Sequence, residues 1–189
     1  MSDQARTLII RTAGVLIVLL ALGAALLPLE RALPGRLVVG SLLLLAGAIE
    51  MIAALVRRRH RGAAIVAAGA TVLAGFRLVI DPTAGFFPVL NLVILWLVVR
   101  AAALAFAASR ASEPIQGWLI LAAATDFLLA VLLLSGLPVA LIVAGLFGPT
   151  SAIIATFAWI LAISFVATGA LLMAAGMAER SDGGVPADA

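Results

Sequence analysis

Hydrophobic positions in this chain come in long blocks. Six runs, at 8–27, 37–56, 62–80, 86–108, 117–134 and 151–177, are almost wholly apolar. Each approaches or exceeds the ~20 residues that an α-helix needs to cross a ~30 Å hydrocarbon core. Backbone groups in lipid must be satisfied within the segment, and no ~10-residue alternation suggests a barrel. The runs therefore predict six transmembrane helices. The separators carry turn chemistry: Pro28 with Pro34-Gly35, Asp81-Pro82, Ser112-Glu113-Pro114 and Gly136-Leu137-Pro138. The expected fold is all-α, a polytopic membrane protein with a single six-helix domain over 1–178 and a disordered tail over 179–189.

Two stretches test this division. Residues 139–147 are apolar but too short to span, and Gly148-Pro149 closes them. They read as an apolar loop, re-entrant or lying in the interface. At the other end, Arg6 and Arg11 followed by an apolar run resemble a secretion signal. Pro28-Leu29-Glu30-Arg31 offers no small-x-small cleavage site, so the first run is expected to stay as a span.

The runs also repeat. Pro28, Pro82 and Pro138 each follow the first helix of a pair, spaced 54 and 56 residues apart. The expected architecture is thus three repeated helical hairpins, with about a dozen residues inserted after the third Pro.

Composition agrees with the blocks and removes other readings. The chain is 65% hydrophobic and 11% charged, with mean hydropathy +1.28, so the lipid bilayer is its solvent and first partner. All twelve basic residues are Arg. Arg57, Arg58, Arg59 and Arg61, with His60 among them, form the one dense block of charge, between the second and third runs. Short Arg-rich loops stay on the cytoplasmic side. Placing both termini there puts eight Arg inside (adding Arg6, Arg11, Arg110 and Arg180) against Arg31 and Arg36 outside. The pI near 11.3 then follows from topology, and no nucleic-acid partner is implied. Trp118 and the pair Phe86-Phe87 fit interfacial anchors at opposite membrane faces.

Small residues recur at a spacing of seven, close to two helical turns: Gly40 and Gly47, Gly62 and Gly69, and Ala162, Gly169 and Gly176. Lacking Cβ, such stripes let helix backbones approach in lipid. They are expected to pack the bundle, and the same faces offer a route to a homo-oligomer.

Apart from Arg11, counted with the cytoplasmic end of the first run, four ionisable residues fall inside the spans: Glu50, Arg77, Arg100 and Asp126. Burying charge at mid-bilayer costs about 2.5–3.5 kcal/mol per Asp or Arg on insertion scales, so each needs a partner or a role. From the 1.5 Å rise per residue, Glu50 lies about 10 Å deep and Arg100 and Asp126 about 13–15 Å deep, all in the half nearer the Arg-rich loop. An Arg100–Asp126 pair with Glu50 as second acceptor is expected, since guanidinium can hold two carboxylates. The functional alternative is that Glu50 or Asp126 carries a proton, as in a small proton, ion or solute transporter or channel subunit. Arg77 and Asp81, four apart at the far end of the third span, are expected to pair across one turn. Asn91 is expected to hydrogen-bond between helices.

Several chemistries are absent. The chain contains no HExxH, GxSxG or Walker loop, and with one His and no Cys it offers no transition-metal site. No catalytic residue, metal or cofactor is expected.

Three Gly-rich hairpins with a Pro at each turn resemble the HdeD family of bacterial inner-membrane proteins. The resemblance covers about residues 11–178 and rests on Gly40-x6-Gly47, on Arg77 through Asp81-Pro82 with Gly85, and on Gly117-Trp118 leading to Asp126. The long loop at 139–148 and the scarcity of aromatics depart from the family's pattern. The resemblance implies a non-enzymatic protein of the bacterial cytoplasmic membrane associated with acid resistance and stress tolerance. It supplies no catalytic residues.

Overall fold

A computed structural model describes residues 3–26, 35–57, 61–80, 86–111, 115–135 and 152–182. These form six α-helices and no strand: α1 (Asp3–Leu26), α2 (Gly35–Val56), α3 (Arg61–Ile80), α4 (Phe86–Ala108), α5 (Ile115–Leu134) and α6 (Ala152–Asp182). Leu- and Ala-rich runs are strong helix formers, and the interruptions fall where the turn residues predict. Gly35 opens α2, and Ile80 closes α3 just before Asp81-Pro82. Pro88 sits in the first turn of α4, where its missing N–H has no intrahelical acceptor to lose. The far end of α4 tightens: Arg110 N and Ala111 N donate to the carbonyls three residues back, at 3.1 and 3.2 Å.

All six helices are long and apolar enough to cross a membrane. Their outward faces carry Leu19, Leu45, Leu73, Leu95, Phe127 and Leu134, each more than half exposed. Such a surface suits hydrocarbon and no aqueous solvent. The chain is a multi-pass membrane protein.

The expected boundaries hold to within a few residues except at two ends. α1 starts at Asp3, ahead of the predicted 8, and α6 runs on to Asp182. Residues 179–182 are therefore helical and do not belong to a disordered tail. The 139–147 segment lies outside the described residues.

Each helix packs on the next in the chain, and α6 packs on α1, so the six form a closed ring. Contact alternates around it. The close pairs are α2/α3, α4/α5 and α6/α1, while α1/α2, α3/α4 and α5/α6 touch less. The closest packing thus lies between the Pro-turn hairpins expected from the repeat and not within them. α6 also touches α2 past their shared neighbour α1, and 67% of its spanning stretch is buried, against 33–44% for the others. α6 is the most buried of the six.

Glycine makes two of the close pairs. A Cβ on Gly75 would lie 2.9 Å from the carbonyl oxygen of Gly40 and 2.6 Å from the backbone nitrogen of Leu44. One on Gly47 would meet Val72 N at 2.8 Å. Gly14 and Gly169 face each other in the same way, each with its absent Cβ 2.8 Å from the other's carbonyl oxygen. Of the predicted stripes, Gly40 with Gly47 and Ala162 with Gly169 and Gly176 are used inside the bundle. Gly62 faces open space, and Gly69 is near only the tip of Met51, at 3.9 Å. The α4/α5 pair uses alanine instead, with Ala107, Ala108, Ala122 and Ala123 packed around Leu104 and Leu119.

Candidate functional site

Arg100 sits at the middle of the bundle, on the buried face of α4, 1% exposed. A guanidinium there, sealed from water, has to be matched by negative charge. Both expected carboxylates arrive. Nη2 of Arg100 lies 3.1 Å from Glu50 Oε1 on α2, and Nε lies 3.2 Å from Asp126 Oδ2 on α5. Glu50 is 6% exposed and Asp126 1%. The sequence-derived trio is thus one cluster joining three helices.

The contacts within it are unequal. Both ion pairs are close in distance but miss the alignment of a hydrogen bond, leaving Arg100 Nε, Glu50 Oε1 and Asp126 Oδ2 held by charge. Asp126 gains a second partner, because the Ser164 hydroxyl on α6 donates to Oδ1 at 2.6 Å. Arg100 Nη2 also donates to Thr168 Oγ1, and Thr168 Oγ1 in turn donates to the Ser164 carbonyl at 2.8 Å. Nη1 of Arg100 is buried with no hydrogen-bond partner among the described residues.

α3 joins through an aromatic ring. The Arg100 guanidinium carbon lies 5.7 Å from the centre of the Trp96 ring, within cation–π range. Trp96 Nε1–H donates to Thr71 Oγ1 at 3.0 Å, and Thr71 Oγ1 donates to the Ala67 carbonyl at 3.0 Å. Five of the six helices therefore meet in one polar layer. Ser164, Thr168, Trp96 and Thr71 were not singled out as members from sequence. Their one sequence signal is hydroxyls and an indole inside otherwise apolar runs; Ser164 and Thr168, four apart, share a helix face.

Other expected residues fall elsewhere. Arg77 is exposed near the end of α3, and its expected partner Asp81 lies outside the described residues. Arg57 follows the last turn of α2 and Arg61 opens α3, while Arg58, Arg59 and His60 lie outside the described residues. Asn91 was expected to bond between helices. It faces outward on α4 instead, because the inward positions of that turn are taken by Leu90 and Val93, packed in the core. Trp118 is 39% exposed, near the start of α5.

Comparison with protein-family models, curated proteins and solved structures finds no match. A sealed guanidinium with two carboxylates, two hydroxyls and an indole can bind helices together and can hold protons. It presents no activated nucleophile, and no group of His, Cys, Asp or Glu among the described residues is arranged to hold a metal.

Proposed function

We propose that this chain is a non-enzymatic protein of the bacterial cytoplasmic membrane, of HdeD type, acting in acid or envelope stress tolerance. The observation that carries the reading is the enclosure of the polar layer: Glu50, Arg100 and Asp126 are each at most 6% exposed. Here packing closes over the charges, and the cluster locks α2, α4, α5 and α6 into one body. An ion-paired core of this kind suits a protein that must keep its shape while its surroundings acidify.

The Arg57–Arg61 loop supports an orientation with both termini cytoplasmic. It also lies where anionic headgroups would gather. A homo-oligomer would have to use faces other than Gly40/Gly47 and Gly169/Gly176, which are filled within the chain.

Two measurements test the proposal together. Purified protein in liposomes loaded with a pH-sensitive dye is expected to give no proton flux above empty vesicles. A strain deleted for the gene is expected to survive acid challenge less well than its complemented parent. Flux that Asp126→Asn abolishes would replace this reading with transport. Equal survival of the two strains would remove the stress role.

A further inference from the structure

The polar layer holds one positive and two negative formal charges in a space closed to water, and the geometry points to Glu50 as a built proton-binding site, taking up the proton that balances the layer while Asp126 serves as the counter-ion of Arg100. The inference goes beyond the stress-tolerance reading and does not depend on it. A net negative charge sealed in an apolar bundle is costly, and two carboxylates sharing one cation relieve it by taking up a proton.

Which carboxylate takes it follows from the donors. Asp126 has both oxygens engaged, Oδ2 beside Arg100 Nε at 3.2 Å and Oδ1 accepting from the Ser164 hydroxyl at 2.6 Å. The Arg100 charge beside one oxygen and a hydroxyl donor on the other together favour the carboxylate form. Ser164 is not drawn off by another duty, since the bond from Thr168 goes to the Ser164 carbonyl. Glu50 has a single contact, from Oε1 to an Nη2 that already serves Thr168. In the protonated form Oε1 is the carbonyl oxygen facing that nitrogen, and the proton rests on Oε2.

The surroundings of Glu50 add little to change this. The charges acting on it among the described residues are Arg100 on α4, Asp126 on α5 and Arg57 at the end of its own helix. α6 and α3 bring the hydroxyls of Ser164, Thr168 and Thr71, and α1 faces the bundle with Ile10, Ala13 and Ile17. Glu50 is also the member nearest an aqueous face, about 9 Å from Val56 by the helical rise. Binding the proton takes the cluster from a charge of −1 to zero.

Infrared spectroscopy of the full chain in lipid decides the matter through the carbonyl stretch of a protonated carboxyl. At neutral pH the band is expected in the wild type and lost in Glu50→Gln, with the shift on deuterium exchange identifying it as COOH. Gln mimics the neutral acid, so Glu50→Gln is also expected to keep the wild-type unfolding midpoint. A wild type with no such band at neutral pH overturns the inference. So does a band that survives in Glu50→Gln. If Glu50→Gln fails to fold, the ionised form is the one the fold needs, and the inference falls with it.

Discussion

At the scale of single residues, Arg100 is the side chain on which most others depend. Replacing it with Leu removes the cation from beside Glu50 and Asp126 and the donor to Thr168. Breaking a buried pair in this way is expected to cost about 3–5 kcal/mol, read as a lower unfolding midpoint in detergent. Combined with Asp126→Leu, the loss should be well below the sum of the two single losses; additive losses would disprove the pairing. Trp96→Phe keeps most of the ring but frees Thr71, and should cost about 0.5–1.5 kcal/mol for the lost hydrogen bond. The charged trio was legible in the sequence because charge inside an apolar run demands a partner and helical rise fixes depth. Ser164 and Thr168 were not, since a hydroxyl can satisfy itself on its own helix. Thr125 does so on α5, donating to the Leu121 carbonyl at 2.8 Å. Asn91 misled for a related reason: polarity alone does not say which side of a helix faces in.

At the scale of helices, the crossings are set by missing side chains. Gly169→Ala would put a methyl 2.5 Å from Val18 Cγ2 and 2.8 Å from the Gly14 carbonyl oxygen. Only the side chain can yield, so a loss of about 1–3 kcal/mol is expected. Gly23→Ala and Gly62→Ala meet nothing within 4 Å and should leave stability unchanged or raise it slightly, since Ala favours helix. Thermal melts of the three variants side by side would check the contrast. Spacing of seven found Gly40, Gly47, Gly169 and Gly176, yet it also picked Gly62 and passed over Gly14 and Gly75. A stripe is visible only where a helix repeats it. Gly14 and Gly75 act singly, each opposite a glycine on another helix, and that match is a property of the pair.

At the scale of the molecule, six spans and their limits could be read from hydropathy, because lipid imposes a minimum length and breakers mark the ends. The order of closeness could not. Chain order suggested hairpins at the Pro turns, whereas the close pairs are α2/α3, α4/α5 and α6/α1. Orientation is open to a direct check, since the chain has no Cys and each variant carries a single thiol. Ser109→Cys beyond the end of α4 and Ser135→Cys beyond the end of α5 are both exposed positions. An impermeant maleimide is expected to label the first only from the cytoplasmic side and the second only from the opposite side. The reverse pattern would invert the proposed topology.

Closure of the ring through α6 and α1 has a consequence for biogenesis. α1 is synthesised first of the six, yet Gly14 is shaped for Gly169, on the last. As α2 to α5 insert, α1 has α2 as a neighbour but its small-residue face stays in lipid. The most buried helix arrives only when the final span leaves the ribosome, and with it come Ser164 and Thr168 for the waiting charges. Assembly of the core is therefore a late step governed by the longest separation in the chain. A chain stopped before α6 would carry Arg100 and Asp126 without their hydroxyl partners, and membrane quality control is expected to remove it faster than the full chain, as pulse-chase labelling would measure.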